Sequence, residues 1–221
     1  MPDRLTIAAR THGRVLVRRP SSPPPWPALI GFHGYGMNAG QMINLLEEIP
    51  GVDPWLLVSV QGLHRFYARD QKTVVASWMT SEDRDAAIAD NIRYAADVVD
   101  AVRHAWPFDR LVYAGFSQGV AMAFRAAARG GHRCDGVLAL GGDIPPELLA
   151  DSSIAWPPVV LGRGDDDAQY SSAMFLRDAS LLENARALAA RATFSGGHEW
   201  SRAFCEAAGK FLTAVTASSE T

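Results

Sequence analysis

The sequence predicts an α/β fold in which a mostly parallel central sheet carries helices on both faces. Three observations predict it. Short apolar runs recur along the 221 residues, helical periodicity fills most of the gaps between them, and no repeat or long low-complexity tract interrupts the alternation. Strands that alternate with helices pair in parallel through crossover connections, which leaves helices on both sides of the sheet. Chains of this size commonly form one α/β unit, so a single domain over residues 1–221 is expected.

Each element is justified by local pattern. Two β-branched runs, Leu5 to Ala9 and Arg14 to Val17, flank Thr11-His12-Gly13 and predict an N-terminal hairpin. The stretch "RPSSPPPWP" is a stiff connector, because its prolines fit neither a helix interior nor a central strand. Apolar strands are then expected at Ala28–Phe32, Trp55–Val60, Leu111–Ala114, Gly136–Leu140, Val159–Leu161 and Ala192–Phe194. Helices are expected at Ala39–Ile49, Glu82–His104, Gln118–Gly130, Ser171–Ala190 and Glu199–Ala217. The segment between the strands ending at Leu140 and beginning at Val159 is too short for a cap domain, which predicts an open site.

Composition narrows the function classes. A formal charge of −3 without any Lys or Arg run argues against nucleic acid or an anionic membrane as partner. No apolar stretch is long enough for a membrane span, and the first residues lack a secretory h-region. Cys134 and Cys205 lie far apart without metal-ligand spacing, so neither a metal site nor a disulfide framework is expected, and the thiols read as reduced in a cytoplasmic protein. A dimer is compatible with the sequence, although no feature argues for one.

The chemistry sits in "GFSQG", Gly115 to Gly119, where a buried strand meets an Ala-rich helix. Such a turn lifts a serine out of the sheet, and flanking glycines avoid collision with neighbouring backbone. Ser117 is therefore the candidate nucleophile. A serine hydroxyl needs a base that a third group orients, and nucleophile elbows take these partners in the order Ser, Asp or Glu, His. "ATFSGGHEW" supplies His198 in a loop before the last helix. "VVLGRGDDDAQYSS" supplies Asp165, Asp166 and Asp167, among which spacing does not choose. Asp167 is preferred to Asp165 because Tyr170, three residues on, can pack at the start of the next helix. The strand ending in His33-Gly34-Tyr35-Gly36 can turn backbone donors inward, so the amides of Tyr35 and Gln118 are the expected oxyanion donors. Side chains at these two positions are expected to matter less than their amides. His33 is expected to shape that loop by hydrogen bonding. Phe66, Tyr67 and Trp78, after the second core strand, are expected to form an acyl-binding wall.

With these pieces in order, the chain resembles the α/β-hydrolase superfamily, and within it the phospholipase/carboxylesterase group that includes bacterial carboxylesterases and acyl-protein thioesterases. The resemblance runs from about Ala28 to Leu212 on "FHGYGMN", "GFSQG", the Asp loop and "GGHEW". It implies an α/β-hydrolase fold without a cap domain and a carboxylesterase or thioesterase activity that uses no cofactor and no metal. The substrate would be a small-molecule ester or thioester, and the open site expected without a cap predicts a short acyl chain. It places Ser117, His198 and the Tyr35 and Gln118 amides on the matching motif positions. The Asp loop departs from the usual His-Gly-x-x-Asp pattern, having Leu161-Gly162 and an Asp triplet, and the region 61–85 differs from the family's usual substrate loop. A lactone or dienelactone hydrolase, and a non-catalytic binding protein on the same scaffold, are the alternatives.

Overall fold

A computed structural model of the protein describes residues 2, 3 and 5–217; the remaining positions of the expected 1–221 domain lie outside the described residues. In chain order the elements are β1 (Val15–Arg18), β2 (Trp26–Phe32), α1 (Ala39–Glu47), β3 (Leu56–Val60), β4 (His64–Tyr67), β5 (Val74–Ser77), α2 (Arg84–Ala105) and β6 (Phe108–Phe116). They continue as α3 (Gln118–Arg129), β7 (Gly136–Leu140), α4 (Pro146–Leu149), β8 (Val159–Gly164), α5 (Ser172–Asn184), β9 (Leu188–Phe194) and α6 (Arg202–Ala217). Seven strands form one sheet in the order β1-β3-β2-β6-β7-β8-β9, and β4 pairs with β5 as a separate hairpin. Every pairing in the large sheet is parallel except that of β1 with β3.

The central strands read as unbroken apolar runs because both of their faces are buried. In β6, Leu111 and Tyr113 enter one core with Val98, Val99 and Val102 of α2, Val120 and Phe124 of α3, and Phe175 and Leu182 of α5. Val112 and Ala114, which alternate with them, enter the opposite core with Met42 and Leu46 of α1 and Phe204 and Leu212 of α6. The same alternation splits β7, where Val137 and Ala139 face the first core and Leu138 and Leu140 the second. Helices on both sides therefore bury the sheet from each face, as the alternating pattern predicts.

Strand order also locates the crevice. The chain runs outward from β2 to β3 and later returns on the other side of β2 as β6, so the topology reverses between these two neighbours. Open α/β sheets bind ligands beyond the carboxyl ends of the strands at such a reversal. The two segments leaving it here are His33-Gly34-Tyr35 after β2 and Ser117 after β6.

Several elements differ from expectation. Residues 5–9 form no strand, and Leu5 and Ile7 are 87% and 81% exposed. β-branched character does not make a strand without a partner, and β1 instead spends its hydrogen bonds on β3, with Val15 opposite Val60. The helix expected over Ser171–Ala190 stops at Asn184, and Leu188–Phe194 is an edge strand beside β8. Alanines make "LAARATF" look helical, but Arg186 at φ 56° breaks the helix and the free edge of β8 captures residues 188–194. Sequence periodicity also missed the β4–β5 hairpin and the single turn α4. No helix among the described residues is long and apolar enough to cross a membrane.

Candidate active site

Ser117 stands between β6 and α3 at φ 53°, ψ −120°, a conformation that costs a non-glycine residue about 1–3 kcal/mol. Its neighbours hold it there. The Ser117 amide donates to the Leu140 carbonyl at 2.9 Å, and a Cβ on Gly119 would lie 1.9 Å from the Phe32 carbonyl oxygen. The helix can start against the end of β2 only because residue 119 has no side chain.

Asp167 and His198 meet beside Phe116, the residue that precedes the serine. The imidazole Nδ1 lies 2.8 Å from Asp167 Oδ2. The other carboxylate oxygen accepts the Gln169 and Tyr170 amides at 2.8 and 2.9 Å. Burial works against ionisation of Asp167, but the bonds from Tyr170, His198 and Gln169 outweigh it and hold the carboxyl below its ordinary range. An ionised carboxylate can only accept, so Nδ1 carries a proton, and in the neutral ring it is Nε2 that holds the lone pair. The ring stacks on Phe116, the residue before the serine, at a centroid distance of 5.2 Å. Gly141, at φ 70°, passes beneath it, and a Cβ there would fall 3.1 Å from the imidazole Cε1.

Of the Asp triplet, Asp167 is buried against the imidazole, whereas Asp165 and Asp166 are exposed. Two residues with no motif behind them hold this loop. Arg163 is buried at the end of β8 and donates to the carbonyls of Tyr170 at 2.7 Å, Asp165 at 3.1 Å and Asp167 at 3.4 Å. Asp178 of α5 accepts the Tyr170 hydroxyl at 2.9 Å and the Ile144 amide at 3.1 Å, which ties the acid loop to the 141–144 loop. A lone arginine in an apolar strand and a lone aspartate on the buried face of a helix were the available signals.

The Tyr35 and Gln118 amides lie at the ends of the two segments that flank the topological reversal. The intervening loop is built on His33, which is fully buried. Gly62 N–H donates to its Nε2 at 2.9 Å, so Nδ1 must be the protonated nitrogen and donates to the Gly34 carbonyl at 2.7 Å. Burial pushes this imidazole below its ordinary pKa, against the smaller opposite effect of the Gly34 bond, and keeps it neutral. The Gln118 side chain has a larger part than the sequence suggests, because it clamps the helix start: Oε1 accepts the Trp78 amide at 3.0 Å, and Nε2 donates to the Met79 carbonyl at 2.9 Å.

The expected aromatic wall comes apart. Trp78 is 0% exposed and packs in the core, its indole N–H donating to the His33 carbonyl at 2.8 Å while Asn91 caps its own carbonyl at 2.7 Å. It is corrected from a pocket residue to a support of the loop, because an indole at this site has both a polar partner and a full apolar surround. Phe66 and Tyr67 lie on the exposed strand β4, with Phe66 against Tyr35 at 5.6 Å. The hollow that Ser117 borders, about 270 Å³, is lined instead by Met79, Arg84, Gln118, Arg125, Gln169 and Tyr170, among others. A larger depression of about 980 Å³ between the N-terminal arm and α2 contains none of these groups.

Cys134 and Cys205 are free thiols, pushed by burial to about 12 and about 11. Among the described residues no group of three or more His, Cys, Asp or Glu side chains could hold a metal ion.

A family model described as phospholipase/carboxylesterase matches residues 15–216. Among solved structures, the esterase PE8 superposes with a TM-score of 0.72 at 20% identity, covering 93% of this chain and 100% of that one. Acyl-protein thioesterase 2 of Zea mays gives 0.72 at 20%, covering 92% and 99%, and the Bacillus cereus carboxylesterase gives 0.72 at 20%, covering 92% and 94%. At such identities the likeness shows the fold. No curated protein sequence matches the chain.

Proposed function

This chain belongs to the phospholipase/carboxylesterase family of α/β-hydrolases, and from that premise we propose that it cleaves carboxylic esters or thioesters through an acyl-enzyme on Ser117. Ester-hydrolase chemistry comes with the family; the nucleophile, its partners and the acyl preference are our assignment.

In this reading Ser117 Oγ attacks the acyl carbonyl carbon while His198 Nε2 takes the hydroxyl proton. Asp167 holds the Nδ1–H tautomer and stabilises the imidazolium that forms. The developing oxyanion is met by the amides of Gln118 and Tyr35. Collapse of the tetrahedral species breaks the ester C–O or thioester C–S bond, and His198 returns the proton to the leaving group. Water then repeats the sequence on the acyl-enzyme and releases the acid. These steps ask nothing of a metal or organic cofactor.

The observation that carries the proposal is the 2.8 Å contact between His198 and Asp167, stacked on the residue that precedes a serine in strained backbone. The hollow of about 270 Å³ beside Ser117 suits short acyl groups. Phe66 and Tyr67 would contribute at most an outer rim.

The test is a panel of p-nitrophenyl esters, acyl-CoA thioesters and lactones, with Ser117→Ala as control and a fluorophosphonate probe for the serine. Esters or thioesters of short acids should turn over, and Ser117→Ala should lower kcat by about 10⁴-fold or more. Turnover confined to lactones would favour the lactonase reading. A folded protein that neither turns over nor takes the probe would be a binding protein.

A further inference from the structure

Arg125 is buried to 1% exposure on α3 and borders the same hollow as Ser117. A guanidinium carries five N–H donors and needs partners for them once buried. Its Nε donates to Glu147 Oε1 at 2.7 Å, and Nη1 approaches the Met79 sulfur at 3.7 Å. Nη2 is buried and has no partner among the described residues. Leaving a charged donor unsatisfied is costly, so the site is built for an acceptor that arrives from outside.

The charged groups on Arg125 and at the hollow do not supply it. Glu147 is engaged at Nε, and Asp143 is drawn by Arg177, 3.5 Å away. Arg84 borders the hollow as a second cation. The remaining lining pairs polar groups, Gln118, Gln169 and the Gly141–Gly142 turn, with the apolar side chains of Met79, Ala121 and Met174, a mixture that suits a short methylene chain ending in a polar group.

Geometry sets which part of a substrate would reach Arg125. The leaving group must face His198 to receive its proton, and His198 is not among the residues that border the hollow, so the hollow houses the acyl part. Arg125 stands just over two turns after Ser117, an axial offset of about 12 Å at ~1.5 Å per residue. Helical side chains lean back toward the N-terminus, and Nη1 reaches Met79, whose carbonyl the Gln118 side chain holds, so the span left for an acyl chain is about four to six carbons.

We propose that the Arg125 guanidinium receives a carboxylate at the far end of the acyl chain, so that the preferred substrates are monoesters or monothioesters of short dicarboxylic acids. The inference rests on the reading of Ser117 as nucleophile. The reaction remains hydrolysis: the acyl C–O or C–S bond breaks, water supplies hydroxyl to the acyl carbon, and the alcohol or thiol leaves with a proton.

The test compares monoethyl glutarate with ethyl pentanoate, its neutral counterpart of equal chain length, by pH-stat on the full chain. Wild-type kcat/KM should favour the monoester of the diacid by about tenfold or more, the worth of one charge-assisted hydrogen bond. Arg125→Lys keeps a cation for Glu147 but removes the planar fork, and the ratio should fall toward one. Because the ratio is internal to each protein, a general loss of stability does not imitate this result. A wild-type ratio near or below one, with the neutral ester hydrolysed, would overturn the inference, leave the hydrolase reading standing and assign Nη2 to a bound water. A preference that survives in Arg125→Lys would also overturn it. Failure of both esters together with absence of a fluorophosphonate adduct would remove both readings.

Discussion

The elbow around Ser117 and the β4–β5 hairpin touch the same loop after β2, and they are built by opposite rules. At the elbow backbone meets backbone: α3 begins against the end of β2 with no room for a Cβ at residue 119. The hairpin bonds to the loop through the backbone of one strand only. Ala76 exchanges bonds with Gly36 and Met37 across an isolated bridge, and Ser77 and Trp78 are buried, whereas all of β4 is exposed. The positions that hold Ser117 in place are those that tolerate no added atom; the outer strand can change its surface without moving the loop it covers.

Six substitutions break or sharpen this contrast. The largest effect is expected at the elbow's acid: Asp167→Asn should lower kcat by roughly 10³–10⁴-fold by releasing the imidazole tautomer, while Asp165→Asn on the exposed part of the loop stays within about twofold, both read by ester turnover. The same pair carries a pH signature. The folded carboxyl of Asp167 lies below its unfolded value of about 3.9, so its stabilisation is complete above that value and is lost as pH falls through the folded one. The stability gap between wild type and Asp167→Asn, measured by denaturant unfolding, should close with acidification through that window.

Next comes Gly119→Ala, whose Cβ cannot coexist with the Phe32 carbonyl; a loss of about 3 kcal/mol or more in urea unfolding is expected, with activity falling in step. Trp78→Phe probes the hairpin's buried end. It leaves the His33 carbonyl without its indole donor and should cost about 1–3 kcal/mol, with a smaller loss of kcat than at Asp167. Least of all, Phe66→Ala and Tyr67→Ala should change stability by no more than about 0.5 kcal/mol, the usual range for surface sites, and should raise KM less than about threefold. A larger rise in KM would bring the outer strand into the substrate site and erase the contrast.

Much of the site was legible from residue order. "GFSQG" at a strand-to-helix junction marked Ser117, and the Gly-Gly pair before His198 marked a loop ahead of the last helix. The Tyr170 argument selected Asp167 for a reason that holds in part: the aromatic ring is buried, but its amide on Oδ1 and its hydroxyl on Asp178 are what bind the loop together. Arg163, Arg125, Asp178 and the Gln118 side chain escaped notice because a single polar residue inside an apolar or helical pattern looks like a surface position until its partners are known. Trp78 was misplaced for the complementary reason. A tryptophan near a Gly-rich loop reads equally well as pocket or core, and its indole N–H decides for the core only when the His33 carbonyl is brought to it.

Local pattern alone thus determined the alternating α/β architecture, the serine turn between strand and helix and the chain order of the candidate serine, acid and histidine, since periodicity, glycines and chain order act over short range. Which strands paired, which aspartate met the imidazole and which arginine was left with an unspent donor were decided by tertiary structure. Those outcomes depend on a free sheet edge, on burial and on hydrogen-bond partners drawn from distant parts of the chain, and none of these exists until the sheet has closed.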